Sequence, residues 1–191
     1  MKYVILFGPP GAGKGTQAGN IAQKYNLCHI STGELLRAEI AAGSELGKQA
    51  KTLIDGGNLV PDAVVEGMLE SKFRSTTGVD GFLLDGFPRT ISQAEDLDAL
   101  LGRSGEKVGC VVSIMIPDGM IAERIAHRAT IEGRADDADP VTIQNRIRTY
   151  HEKTEPLVDF YKACGKYNEA DGRGTVEQVR ELIDGILDRS F

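Results

Sequence analysis

The chain has 191 residues, 41% of them hydrophobic and 26% charged, with a formal net charge of −6. That length supports a single α/β domain with insertions, and the composition is that of an ordinary globular protein. The acidic balance speaks against a broad nucleic-acid surface, and no apolar run approaches membrane-spanning length.

The N-terminus enters the first predicted strand without a signal-peptide layout, so cytoplasmic residence is expected. Tyr3–Phe7 is apolar throughout and predicts a buried strand. It runs into Gly8-Pro9-Pro10-Gly11-Ala12-Gly13-Lys14-Gly15-Thr16. Glycines there let the backbone curl until successive N–H groups face one anion. Lys14 adds a mobile positive charge, and a helix over Lys14–Tyr25 aims its positive end at the same point. The spacing is that of G-x-x-x-x-G-K with one departure: Gly15 follows the lysine, and the hydroxyl arrives at Thr16. A glycine-rich loop with an incidental lysine is the alternative. The strand before, the helix after and the lysine in register speak against it, and a bound nucleotide is expected.

A short strand at Cys28–Ile30 comes next, then three helices in succession at Gly33–Ala42, Leu46–Gly56 and Asp62–Arg74. Gly81–Asp85 is a second strong strand and Ile91–Leu101 a helix. Val108–Ile116 is a β-branched buried strand, and Pro117–Arg128 a helix with Pro117 near its first position. A polar stretch, Ala129–Pro140, precedes a long helix from Val141 to Cys164 with a kink at Pro156. Lys166–Glu169 is the last strand and Thr175–Leu187 the closing helix. Apolar, non-alternating strands separated by helices predict a parallel sheet covered on both faces, with ligands at the carboxyl ends of its strands. The block 31–60 and the stretch 129–138 break this rhythm and are candidate moving lids.

Cys28, Cys110 and Cys164 are odd in number, far apart and without a C-x-x-C pair, which argues against a disulfide framework or a zinc site. Cys28 and Cys110 are expected as small core residues. His29, His127 and His151 lack ligand spacing.

Asp85 ends a buried strand beside the phosphate loop, where an aspartate can hold Mg²⁺ directly or through water; a helix N-cap is the alternative. Gly86 and Pro88 stiffen the turn that follows, so Arg89 projects from a fixed backbone towards a phosphate. Gln93, one helical turn on, can offer a donor and an acceptor to a base edge. Arginines gather at 124, 128, 134, 146 and 148, and Arg124 and Arg128 share one helix face. Such local positive focus in an acidic chain suits a small polyanion. Transfer of a phosphoryl group needs several cations to converge and no strong base.

Gly8–Thr16, Ser31-Thr-Gly-Glu-Leu-Leu-Arg37, Asn58-Leu-Val-Pro-Asp62, Asp85-Gly-Phe-Pro-Arg-Thr90, Tyr150-His151 and Thr154-Glu155-Pro156-Leu157 follow one another as in adenylate kinases. The resemblance covers essentially the whole chain. It implies a P-loop NTPase fold with a five-stranded parallel sheet, and reversible Mg²⁺-dependent phosphoryl transfer from ATP to AMP giving two ADP. It further implies a monomer without nucleic-acid or membrane partners.

The resemblance assigns Gly11, Ala12, Gly13, Lys14, Gly15, Thr16, Arg128 and Gly174 to ATP. Thr32, Arg37, Asn58, Leu59, Val60, Gly86, Phe87, Pro88, Arg89, Gln93, Arg134 and Arg146 fall to AMP. Lys14, Arg89, Arg124, Arg128, Arg134 and Arg146 become the catalytic cations. Asp136-Asp137 matches the acidic pair that orients them, and Asp85 would hold Mg²⁺ through water. The stretch from Asp137 to Arg146 is one residue longer than the commoner family spacing, which leaves Arg148 as an alternative to Arg146.

Residues 31–60 correspond to the acceptor lid and 127–138 to a short donor lid, on a core of 1–30, 61–126 and 139–191. With five residues between Arg128 and Arg134 and no cysteine among them, the short-lid form is implied and structural zinc is not expected. A UMP/CMP-type kinase is the nearest rival. A P-loop switch is the other, since Asn168-Glu169-Ala170-Asp171 superficially matches N-K-x-D, although Glu169 replaces the lysine.

Overall fold

The computed structural model describes residues 1–133 and 137–191. Its sheet is formed by β1 (Lys2–Phe7), β2 (Leu27–Ser31), β3 (Gly81–Asp85), β4 (Cys110–Met115) and β5 (Tyr167–Asp171). All pairings are parallel, in the order β2-β3-β1-β4-β5. Successive side chains of a strand face opposite sides, and here both sides are buried. Tyr3, Ile5 and Phe7 enter one core and Val4 and Leu6 the other, which is why the strands read as unbroken apolar runs.

Helices supply the two covers. On the Val4 side pack α1 (Lys14–Tyr25), α6 (Asp118–Glu132), α7 (Pro140–Thr149) and α9 (Val176–Ser190), through residues such as Ile21, Ile121, Ile143 and Ile183. α2 (Thr32–Ala41), α3 (Glu45–Asp55), α4 (Asp62–Ser75), α5 (Ile91–Gly102) and α8 (Leu157–Ala163) contribute Leu36, Ala50, Leu69, Leu97 and Tyr161 to the other. β1 lies between β3 and β4, with Leu6 beside both Asp85 and Val112. The chain crosses from one side of β1 to the other here, so the loop after β1 opens at the switch point where open α/β sheets bind ligands.

α2 and α3 form the helical insertion predicted for 31–60. Ser31 caps α2 through Glu34 N–H, and Ser44 caps α3 through Gly47 N–H. A Cβ on Gly47 would lie 2.1 Å from the Glu39 carbonyl oxygen, so the close approach of the two helices requires glycine there.

Several element ends shift by one to three residues from the sequence reading, and the changes around α6 and α7 have identifiable local causes. α6 does not stop at Arg128; Ala129–Glu132 continues it until Gly133, at φ 61°, provides the left-handed cap. Pro117 is the residue before α6, and Pro140 instead occupies the first turn of a helix, behind an Asp139 cap to Val141 and Thr142 N–H. The long helix expected from Val141 is interrupted at Tyr150–Thr154 by a π-turn, in which Glu155 N–H bonds the Tyr150 carbonyl at 2.8 Å. Pro156 explains the position: it has no N–H for the Glu152 carbonyl and its ring clashes with that group in regular helix, so the preceding turn widens. Of the cysteines, Cys110 is buried as expected, whereas Cys28 is half-buried and Cys164 exposed.

Candidate functional site

β1 delivers the chain into a turn that favours glycine at three points, Gly8, Gly11 and Gly13, all at positive φ. Gly8 has φ 133°, and a Cβ on it would meet the Ile114 carbonyl oxygen of β4 at 2.4 Å; Gly13, at φ 93°, begins α1. Lys14 reaches back across this loop, donating from Nζ to the carbonyls of Gly8 (2.8 Å) and Pro9 (2.9 Å). Loss of water around the ammonium pushes its pKa down to about 8. Asp85 opposes this shift, while Arg89, Arg128 and Arg146 add to it.

Asp85, 8% exposed at the end of β3, stands beside β1 on one side and Ser31 of β2 on the other. Burial alone would raise its pKa. His29, whose Nε2 lies 3.6 Å from Oδ2, together with Lys14 and Arg89, holds it below the usual aspartate range. An ionised carboxylate therefore faces the phosphate loop. His29 carried no signal in the sequence, because its relation to Asp85 arises only when β2 pairs with β3.

The turn after Asp85 is organised by its backbone. The Gly86 carbonyl accepts from Arg89 Nε (2.8 Å) and from Thr32 Oγ1 (3.0 Å), joining α2 to this loop. The Arg89 carbonyl accepts from Thr154 Oγ1 (2.9 Å), so the interrupted helix also braces the loop. Gln93, 2% exposed, accepts Arg89 N–H at Oε1 (2.7 Å) and donates from Nε2 to Asp62 Oδ1 (2.7 Å). Thr154 and Asp62 were not singled out as site residues by sequence.

On the opposite side, Arg124 donates to the Gly172 carbonyl (2.8 Å), tying α6 to the turn after β5. Arg128 makes a two-pronged pair with Asp137, Nε at 2.6 Å and Nη2 at 2.9 Å, and Arg146 Nη1 binds the same carboxylate. Asp137 is 1% exposed. Arg148 is exposed and bonds the neighbouring Asn145, so Arg146 and not Arg148 faces the cleft. Arg134 and Asp136 lie outside the described residues.

Parts of each of these groups line one cavity of ≈ 900 Å³. Gly11–Thr16, Asp85 and Gly174 form part of its wall, with the cations Lys14, Arg37, Arg89, Arg124, Arg128 and Arg146 around it. A second cavity of ≈ 80 Å³ lies between α2, α3, α4 and the turn after β3, lined by Thr32, Asn58, Leu59, Val60 and Gln93 among others. Arg37, Arg89 and Arg146 belong to both linings. Phe87 and Pro88 line only the larger. Among the described residues no group of three or more histidines, cysteines, aspartates or glutamates is disposed to hold a metal.

Six cations focused on one cleft of an acidic chain, with three of them in the wall shared with a second cavity, suit two phosphorylated ligands meeting end to end. Fold and site together define a P-loop phosphotransferase. The family model for adenylate kinase matches residues 6–166. The chain is 47% identical over 180 residues to an adenylate kinase of Stenotrophomonas maltophilia (strain R551-3), covering 94% of this chain and 96% of the relative. It is 46% identical over 183 residues to one of Leptospira biflexa serovar Patoc, covering 96% and 98%. An adenylate kinase of Xanthomonas euvesicatoria pv. vesicatoria is 44% identical over 186 residues, covering 97% and 99%. The chain belongs to the adenylate kinase family, and it is a kinase.

Proposed function

We propose that this enzyme transfers the terminal phosphoryl group of ATP to AMP, giving two ADP, with the donor phosphates in the loop Gly11–Thr16 and the acceptor against Arg37 and Arg89. The observation that carries this reading is the shared wall. Arg37, Arg89 and Arg146 line both cavities, so an acceptor phosphate held from one side meets the end of a polyphosphate held from the other.

The chemistry follows from charge. In phosphoryl transfer, negative charge spreads over the equatorial oxygens and the protein's task is to position reactants and stabilise that charge. Lys14 supplies a donor to the donor phosphates once they displace the Gly8 and Pro9 carbonyls from it. Arg128 and Arg146, held by Asp137, present fixed guanidinium edges, and Arg124 adds a further cation. Arg134 is assigned the same role by family pattern. Gly174 borders the donor base, and Gln93, with Thr32, Asn58, Leu59 and Val60, borders the acceptor base.

Asp85 fits a Mg²⁺ ion carried with ATP, because it is an ionised carboxylate in the cavity wall facing the lysine of the phosphate loop. Bound there, largely through water, the ion would offset charge on the donor phosphates. We assign residues 31–60 to an acceptor lid and 127–138 to a short donor lid, whose closure keeps water from acting as acceptor. No helix among the described residues is long and apolar enough to cross a membrane, and we read the enzyme as a cytoplasmic monomer.

Coupled measurement of ADP formation with AMP, CMP, UMP and GMP in parallel tests the reading. AMP is expected to be much the best acceptor. Equal or greater rates with a pyrimidine monophosphate would overturn the acceptor assignment, and ATP binding without any transfer would overturn the reaction.

A further inference from the structure

We infer that Asp62 is a positioning residue for acceptor recognition, locking the Gln93 carboxamide in the one orientation that reads a 6-amino purine. The inference rests on the proposal above that Gln93 faces the acceptor base.

A carboxamide can flip, exchanging a donor for an acceptor at the same place. A free glutamine therefore serves adenine, with its N6–H donor and N1 acceptor, and after a flip serves a 6-oxo purine, with its O6 acceptor and N1–H donor. Gln93 is not free. A backbone N–H can only donate, so Arg89 N–H at 2.7 Å demands the carbonyl oxygen at Oε1. A carboxylate can only accept, so Asp62 Oδ1 at 2.7 Å demands the NH₂ group at Nε2. Flipping the amide would set donor against donor at one end and acceptor against acceptor at the other, in a side chain only 2% exposed. Both penalties fall on the buried Gln93 carboxamide, where an unmade hydrogen bond costs most.

The lock leaves one Nε2 hydrogen and one Oε1 lone pair for a ligand. Gln93 lines the smaller cavity and Asp62 does not. Asp62 thus acts from behind, through Gln93, and does not touch the base. Its place is secured by the first turn of α4, and Arg89 N–H is secured in turn by the Thr154 hydroxyl on the Arg89 carbonyl.

The discriminating pair of substrates is AMP and inosine monophosphate, which differ only at the 6-position edge. The quantity to measure is the ratio of their kcat/KM values in the full-length enzyme, with KM for ATP and thermal stability followed alongside. The unmodified enzyme is expected to favour AMP by about 10²-fold or more. Asp62→Ala should lower that ratio about tenfold, mainly by raising KM for AMP, while KM for ATP stays put. Asp62→Asn keeps an acceptor for Nε2 but its own carboxamide can flip, so it should restore thermal stability and only part of the ratio. A purely structural role at the start of α4 would lower the melting temperature and leave the ratio unmoved, and that result would overturn the inference.

Gln93→Ala separates the two layers. If it collapses the ratio while Asp62→Ala does not, Gln93 reads the base and the lock by Asp62 is wrong. If Gln93→Ala leaves the ratio intact, the underlying assignment of Gln93 is wrong. In the double variant, Asp62→Ala should add nothing to the loss from Gln93→Ala; a further loss would mean that Asp62 acts by another route.

Discussion

Lys14 donates to two carbonyls of its own loop, and burial, with three arginines nearby, pushes its pKa down to about 8. Polyphosphate oxygens in place of those carbonyls favour the charged form, so binding raises the pKa again. Near pH 8 the free protein holds about half a proton on Lys14, and ATP binding is expected to take up about half a proton per site. Calorimetric titration in buffers of different ionisation enthalpy reads this uptake, which Lys14→Met should abolish. The same shift has a sign for stability. From about pH 8 up to the ordinary lysine value near 10.4, the folded state binds fewer protons than the unfolded state. Stability from this group therefore rises with pH across that window, and below it the burial penalty stands in full.

Arg89 gives a second test at this scale. Its loop is braced through Gly86, Thr154 and Gln93, so its side chain is held before any ligand arrives. Arg89→Ala should lower turnover with AMP by about 10²-fold or more, with KM for ATP nearly unchanged. AMP kinetics matching those of the unmodified enzyme would remove Arg89 from the acceptor site. Both residues were legible in the sequence because each adjoins a turn whose glycines and prolines dictate its shape. Asp62 and Thr154 were not, since nothing in their own neighbourhoods predicts the groups they meet.

Between elements, the most consequential contact is made by Asp137. Its carboxylate is 1% exposed and receives Arg128 from α6 and Arg146 from α7. Removing one member of such a cluster leaves charges buried without compensation. Asp137→Ala is expected to cost about 3 kcal/mol or more, lowering Tm by about 6–12 °C in a domain of this size. Calorimetry checks the stability, and the same variant should lose turnover because both guanidiniums lose their anchor. The family resemblance pointed to Asp137. The choice between Arg146 and Arg148 depended on the rotation of α7, which the one-residue difference in spacing left open. Helix ends were the least legible: the stretch 129–138 is mostly polar and predicts a loop, yet Ala129–Glu132 continues α6 to the left-handed cap at Gly133, whose N–H bonds the Ala129 carbonyl.

Across the whole molecule, α7 also touches the insertion formed by α2 and α3. Thr142 Oγ1 donates to the Asp55 carbonyl (2.9 Å), and Asn145 Nδ2 to Gly56 O (2.6 Å) and Asn58 Oδ1 (3.3 Å). Gly57, at φ 72°, fits so closely that a Cβ would stand 2.9 Å from both Arg146 Cγ and the Thr142 carbonyl oxygen. These contacts join the insertion that holds α2 and α3 to the helix that carries Arg146. The pair Thr142→Val and Asn145→Ala should raise KM for AMP several-fold with little change in KM for ATP, while Tm falls by only a few degrees. Gly57→Ala combines backbone strain with displacement of Arg146, and turnover is expected to drop by about tenfold. Steady-state kinetics and calorimetry on the three variants separate these outcomes.

The phosphate loop, the alternation of strand and helix, and the turn from Asp85 to Thr90 were set by short-range chemistry. Glycine conformations, apolar periodicity and proline geometry act within a few residues and can be read one segment at a time. The burial of Asp137 between two arginines, the approach of His29 to Asp85, the two bonds that hold Gln93 and the π-turn ahead of Pro156 depended on the packed molecule. The first two, and the Asp62 bond to Gln93, join groups carried on separate elements, and their strength comes from the exclusion of water, which exists only after the layers have closed. The last needed both a local cause and a neighbour, since Pro156 demanded a wider turn and the Arg89 carbonyl received the hydroxyl which that turn presents.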